Sequence, residues 1–185
     1  GNDADRTLAA SEAANSLFAN KDIVIDGNAP MVDSVYSDET PGYFTSGDID
    51  IKVVFDQIVV VADTAGGQQP TLLLETGTTD RSAIFTSGSG TNTLTFTYSI
   101  QTNDLSSDLD YRSTTSLYLN GSTIKDPNGN NAIRTLSDPG TTGSLGNNTD
   151  LVVDAKLATI KKVSSTTNNG SYMAGDSIMV TVTFS

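Results

Sequence analysis

The chain has no cysteine, no histidine and no tryptophan. Without cysteine there are no disulfides and no thiol chemistry. Without histidine, the usual general base at neutral pH and the commonest transition-metal ligand are both missing. An enzyme built from this sequence would have to work with carboxylates alone, and none of its Asp pairs sits in an apolar setting that would raise one pKa. The expectation is that the protein is not an enzyme. Basic residues are also scarce: ten Lys and Arg stand against 22 Asp and Glu, a net charge of −12. Such a surface repels nucleic-acid phosphates and anionic membranes, so neither is an expected partner. No apolar run approaches the ~18–20 residues that span a bilayer as a helix.

What is present is acidic and repetitive. Nineteen of the acids are Asp and three are Glu. Asp is a turn former, and it is also a ligand for hard cations, which take clustered carboxylate and carbonyl oxygens. Residues 1–42 reappear at 129–170 at a constant offset of 128: GNDADRTL becomes GNNAIRTL, and SLFANKDIVID becomes SLGNNTDLVVD. Gly47-Asp48 matches Gly175-Asp176, and a one-residue slip then aligns Phe55 with Phe184. Residues 56–128 occur once. Self-similarity at a fixed period signals a modular array in which each unit meets its neighbours. The reading is one complete repeat at 28–154, long enough for its own apolar core. Residues 1–27 are then the closing strands of a preceding repeat and 155–185 the opening strands of a following one.

Period-two alternation dominates the complete repeat. Strands are expected at 31–37, 49–55, 58–62, 71–76, 82–86, 93–100, 116–120, 123–125, 132–136 and 150–154. In 93–100, Leu94, Phe96, Tyr98 and Ile100 fall on one face, the mark of a half-buried strand. Many short strands joined by Gly-rich turns argue for an all-β, antiparallel sandwich. Residues 8–18 read as a long connection with room for one helical turn; their repeat partner 136–146, with one Pro and three Gly, does not read as a helix. Asn128-Gly129 is expected to supply the positive φ angles of a tight hairpin. Ser87-Gly-Ser-Gly90 reads as a flexible reversal rather than a phosphate loop.

Several stretches carry a family likeness: Gly47-Asp48 followed by IDIKVVF, then PTLLLETG, SGSGTNTLTFTY, NDLSSDLDY, LNGSTIKDPNGN and the joint IVIDGNAPMVDSV. In these the chain resembles the bacterial immunoglobulin-like and cadherin-like repeats of large surface adhesins and related extracellular matrix or motility proteins. That resemblance implies an immunoglobulin-like sandwich and a structural or adhesive role. It also implies a secreted, cell-surface or extracellular matrix location. Such families join modules through Asp-x-x-x-Pro, as Asp26–Pro30 does; the second joint, 154–159, has lost the Pro and gained Lys156.

Candidate metal ligands cluster in two places. Asp104, Asp108 and Asp110 share one loop, and Asp126, Asn128 and Asn130 share a turn. Neither supplies the six to eight oxygens calcium takes, nor the terminal Glu of the helix–loop–helix pattern. If strands alternate in direction from Met31, loop 101–113 and turn 126–130 converge at one pole with the linker that begins at Asp26. Calcium bound there would neutralise crowded carboxylates and stiffen the joint, giving an extended rod or filament. The bland alternative is that these residues cap turns. Expected partners are neighbouring repeats or, if the outer strands are donated between chains, identical subunits. Surface glycans are the rival class, with Tyr111 as the one plausible platform. Sequons at Asn120, Asn147 and Asn169 matter only in a glycosylating host.

Overall fold

The alternating run IDIKVVF sets the architecture. In the computed structural model, which describes residues 3–63 and 66–185, it lies within a single 15-residue strand whose apolar side chains are buried in turn. In chain order the elements are α1 (Leu17–Asn20), β1 (Val32–Ser37), β2 (Gly42–Phe44), β3 (Asp48–Ala62), β4 (Thr71–Leu74), β5 (Arg81–Ser87) and β6 (Thr91–Ser99). Then come β7 (Leu105–Ser106), β8 (Leu117–Tyr118), β9 (Thr123–Lys125), α2 (Leu145–Asn148), β10 (Leu151–Asp154), β11 (Ile160–Ser165) and β12 (Val180–Phe184). The described chain is all-β but for two single-turn helices.

One curled antiparallel sheet runs β1-β3-β6-β5-β4-β8, with β9 paired to the far end of β3. A second sheet runs β2-β10-β7. Both contribute to one apolar cluster. Val35, Ile49, Ile51, Val53, Phe55, Leu94, Phe96 and Tyr98 enter it from the first, and Leu151 and Val153 from the second. Full burial of a Leu, Val or Phe side chain stabilises by roughly 1.5–3 kcal/mol, so this cluster dominates the energetics.

Three expectations need correction. Residues 49–55 and 58–62 form one strand, not two: β3 passes through an irregularity between Val54 and Val59 without reversing. The Asp56-Gln57 pair, polar enough to suggest a turn, is held in the strand because the backbone amide of Asp56 donates to Met31 O and the Asp56 carboxylate accepts from Met31 N. Second, β2 and β10 pair in parallel, Leu151 opposite Gly42, so the pairing is not purely antiparallel. Third, 132–136 forms no strand, only an isolated bridge from Ile133 to Met31. In the hairpin at 126–130 only Gly129 has positive φ (+101°), Asn128 not being among the residues with that conformation.

The 128-residue offset persists in three dimensions, although Gly1 and Asn2 lie outside the described residues. Ser16 and Ser144 are both N-caps in the same backbone conformation, accepting from Ala19 N and Asn147 N at 3.2 and 3.3 Å. A serine oxygen satisfies an otherwise orphaned amide, which is why a helical turn forms in both copies despite the Gly and Pro before the second. Glu12 has φ +73° where the repeat has Gly140 at +74°. β11 pairs with β12 as β1 pairs with β3: Val163 faces Val182 as Val35 faces Val53, and the same irregularity follows the first pair.

Candidate functional site at the two joints

The expected convergence of acidic segments at one pole does not occur, because merging two strands into β3 removes one reversal. The turn after β9 meets the incoming linker, whereas the loop after β6 meets the outgoing one. These lie at opposite ends of β3, where Val60 pairs with Lys125 and Asp48 with Ser99.

At the incoming joint, Asp26, Asp126, Asn128 and Asn130 do come together. Asp126 Oδ1 accepts from the amides of Asn128 and Asn130 at 2.9 and 2.8 Å, and Asp126 Oδ2 from Asn130 Nδ2 at 2.7 Å. Asn128 Nδ2 donates to Asp26 Oδ2 at 2.6 Å, and Asn130 Nδ2 to Asp26 O at 3.1 Å. Two asparagine amides thus tie the linker to the turn. Burial works against the charge on Asp126, but the hydrogen bonds from Asn130, Gly129 and Asn128 prevail and hold its pKa below the usual 3.8. Asn28 N donates to Asp26 Oδ1 at 3.0 Å, and Lys156 N to Asp154 Oδ1 at 3.3 Å, so the same side-chain turn opens both joints despite the lost Pro.

At the outgoing joint the organising group is Asp104, only 1% exposed. Its Oδ1 accepts from Arg81 Nε at 2.8 Å; its Oδ2 accepts from Tyr98 OH and Gln101 N, each at 2.8 Å. An ionised carboxylate only accepts, and three donors converge on it. The loop so fixed clasps the chain leaving β10: Asn103 N donates to Ala155 O at 3.0 Å, and Ala155 N to Asp104 O at 2.9 Å. Burial, and then the Asp104 carboxylate that it faces, push the Tyr98 hydroxyl well above its ordinary pKa. Arg81 was not flagged in the sequence, since a lone basic residue at a strand start carries no recognisable signal.

Asp108 and Asp110 stand apart from Asp104, beside α2. A Cβ placed on Gly146 would lie 3.1 Å from an Oδ2 of each. Asp110 accepts from Tyr111 N and Gly140 N at 2.8 and 2.9 Å. Asp108 has a raised pKa through partial desolvation, then the charges of Asp150 and Asp110. Asp150 is a neighbour the sequence did not single out. Among the described residues no group of three or more acidic side chains is arranged to hold a metal ion. The oxygens of Asp104 and Asp126 are already engaged by protein donors, so they fit a cation poorly.

Tyr111 is buried, its hydroxyl donating to Ser137 O at 2.7 Å, and offers no ring face to a sugar. Among the described residues no helix is long and apolar enough to cross a membrane. No family model, curated protein or solved structure matches the chain.

Proposed function

We propose that the protein is a structural or adhesive repeat of an extracellular surface or matrix protein. Its central unit is an immunoglobulin-like β-sandwich, and such units are joined in series into an extended rod. The observation that carries this reading is the placement of the joints: incoming and outgoing linkers are fastened at opposite ends of β3, the first by asparagine amides on Asp26 and the second by backbone bonds from the loop that Asp104 orders. Units fastened that way follow one another end to end, and a fastened linker cannot swing freely. Reach and stiffness are then the function, and the sequence needs no reactive group to supply them.

Calcium is not required by this reading, because the hydrogen bonds of Asp26, Asp104 and Asp126 fasten the joints without it. Calorimetric titration checks the point: no heat and no rise in melting temperature at millimolar calcium are expected, and a clear calcium-dependent rise would mean that a cation stiffens the joints instead. The rod is tested by small-angle scattering on polypeptides carrying one, two and three copies of the 128-residue repeat. Each added copy lengthens the maximum dimension by about 45–50 Å if strands the length of β3 stack end to end. A maximum dimension that stops growing means the units fold back, and the reading fails.

A further inference from the structure

We propose that residues 15–25 and the β11–β12 hairpin are the two halves of one interface, and that each is covered by the other half from a second copy of this chain. The inference rests on the repeat underlying the reading above, and the central unit supplies its template.

In the central unit, segment 143–153 covers β1 and β2. Val35 N donates to Gly143 O at 2.8 Å, and Asn148 Nδ2 donates to Val35 O at 2.9 Å. β10 pairs in parallel with β2, and Leu145, Leu151 and Val153 are fully buried. Subtracting 128 turns this segment into 15–25, with Leu17, Ile23 and Ile25 in the buried positions and Asn20 in place of Asn148. Adding 128 turns β1 and β2 into β11 and the stretch 170–172, with Val163 in place of Val35.

Both halves are uncovered here. Leu17 is 69% and Ile25 90% exposed, against 0% for Leu145 and Val153; Val163 is 61% exposed, against 0% for Val35. Val182 and Phe184 of β12 are exposed as well, where Val53 and Phe55 are buried. Asn20 retains the amide but turns it back onto Ala14 O and Ser16 O at 2.8 Å each. The capped turn around Ser16 is already formed, so that part of the ordering cost is met before association.

Within these 185 residues the two halves cannot cover each other, so a second copy is the occupant. The linker to 15–25 leaves from one end of β3 and the linker to β11 from the other, and both are short. Bringing the two halves together within one chain would require them to span that strand. A second copy meets no such limit, and the contact is head-to-tail, so it propagates.

Sedimentation of the 185-residue chain across micromolar to millimolar concentration tests this. Wild type is expected to form concentration-dependent oligomers. Leu17→Asp with Ile23→Asp disables one face, and Val163→Asp with Val182→Asp disables the other. Each pair is expected to weaken self-association at least about tenfold, because every buried aliphatic lost is worth at least that factor. An equimolar mixture of the two variants should restore a dimer and nothing larger, since each supplies the face the other lacks. All four positions lie outside the central core, so an unchanged main melting transition shows that the fold is intact. A wild type that stays monomeric throughout overturns the proposal. So does a first-face variant that associates like wild type, which would mean that β12 edges pair with each other. If the mixture fails while serial repeats still lengthen in scattering, only this interface is wrong.

Discussion

Asp104→Ala is the sharpest perturbation of the outgoing joint. The side chain is 1% exposed and accepts from Arg81, Tyr98 and Gln101, so its removal leaves the buried Tyr98 hydroxyl and two part-buried donors without their acceptor. Arg81 is 33% exposed and regains water, so the cost falls below that of a fully buried pair, at about 2–3 kcal/mol. Asp104→Asn is not a safe substitute, because its amide would turn N–H groups toward donors. Tyr98→Phe removes one donor and leaves the carboxylate with two, so it should cost about 1–1.5 kcal/mol. The double mutant should be less destabilised than the sum, since both changes break the same bond. Urea unfolding, read from the midpoint at unchanged slope, measures all three. An Asp104→Ala cost below about 1 kcal/mol, or strict additivity with Tyr98→Phe, would refute the view that this carboxylate organises the loop.

Other outcomes follow from the backbone and the buried hydroxyls. Gly88 has φ +102°, and a Cβ there would lie 2.1 Å from Thr93 O, so Gly88→Ala should cost about 3 kcal/mol or more; Gly90→Ala, at φ +87° in open space, should cost about 1–2 kcal/mol in thermal melts. Tyr98 and Tyr111 both have hydroxyl pKa values raised mainly by burial. The unfolded chain therefore loses those protons first, and stability should fall as pH rises above about 10, less steeply in Tyr98→Phe or Tyr111→Phe. Asp126 is shifted the other way: its contribution is present above the ordinary Asp value of 3.8 and lost as pH falls through its lower folded value. Acid titration of Asp126→Asn should lack that loss. Asp108 is raised, so its charge weakens the fold above its folded pKa, and Asp108→Asn should modestly raise the melting temperature at pH 7 but not at pH 3.

The all-β class, the repeat and the buried face of Leu94, Phe96 and Tyr98 were legible because period-two alternation and a fixed offset are local signals. The pole at which the acidic loops lie was not. It depended on whether Asp56-Gln57 reverses the chain, and that is decided by long-range bonds to Met31. β2 and β7 were missed because three and two residues carry no periodicity; they exist only as partners of β10. Asp26, Asp126, Asn128 and Asn130 were grouped as calcium ligands by strand parity; they do come together, and what unites them is donation by asparagine amides. Asp104 was grouped with Asp108 and Asp110 by proximity in sequence, although its partners Arg81 and Tyr98 come from other strands.

The absence of cysteine makes one measurement direct. Asn28 and Lys156 are exposed, occupy equivalent positions in successive repeats and flank the central unit. Replacing both with Cys and attaching spin labels gives the distance between the joints by pulsed electron resonance. Joints at opposite ends of β3 give a separation of about 35–50 Å, set by a rise near 3.3 Å per residue along that strand. A distribution centred below about 20 Å would put both joints at one pole, and the units could not form a rod.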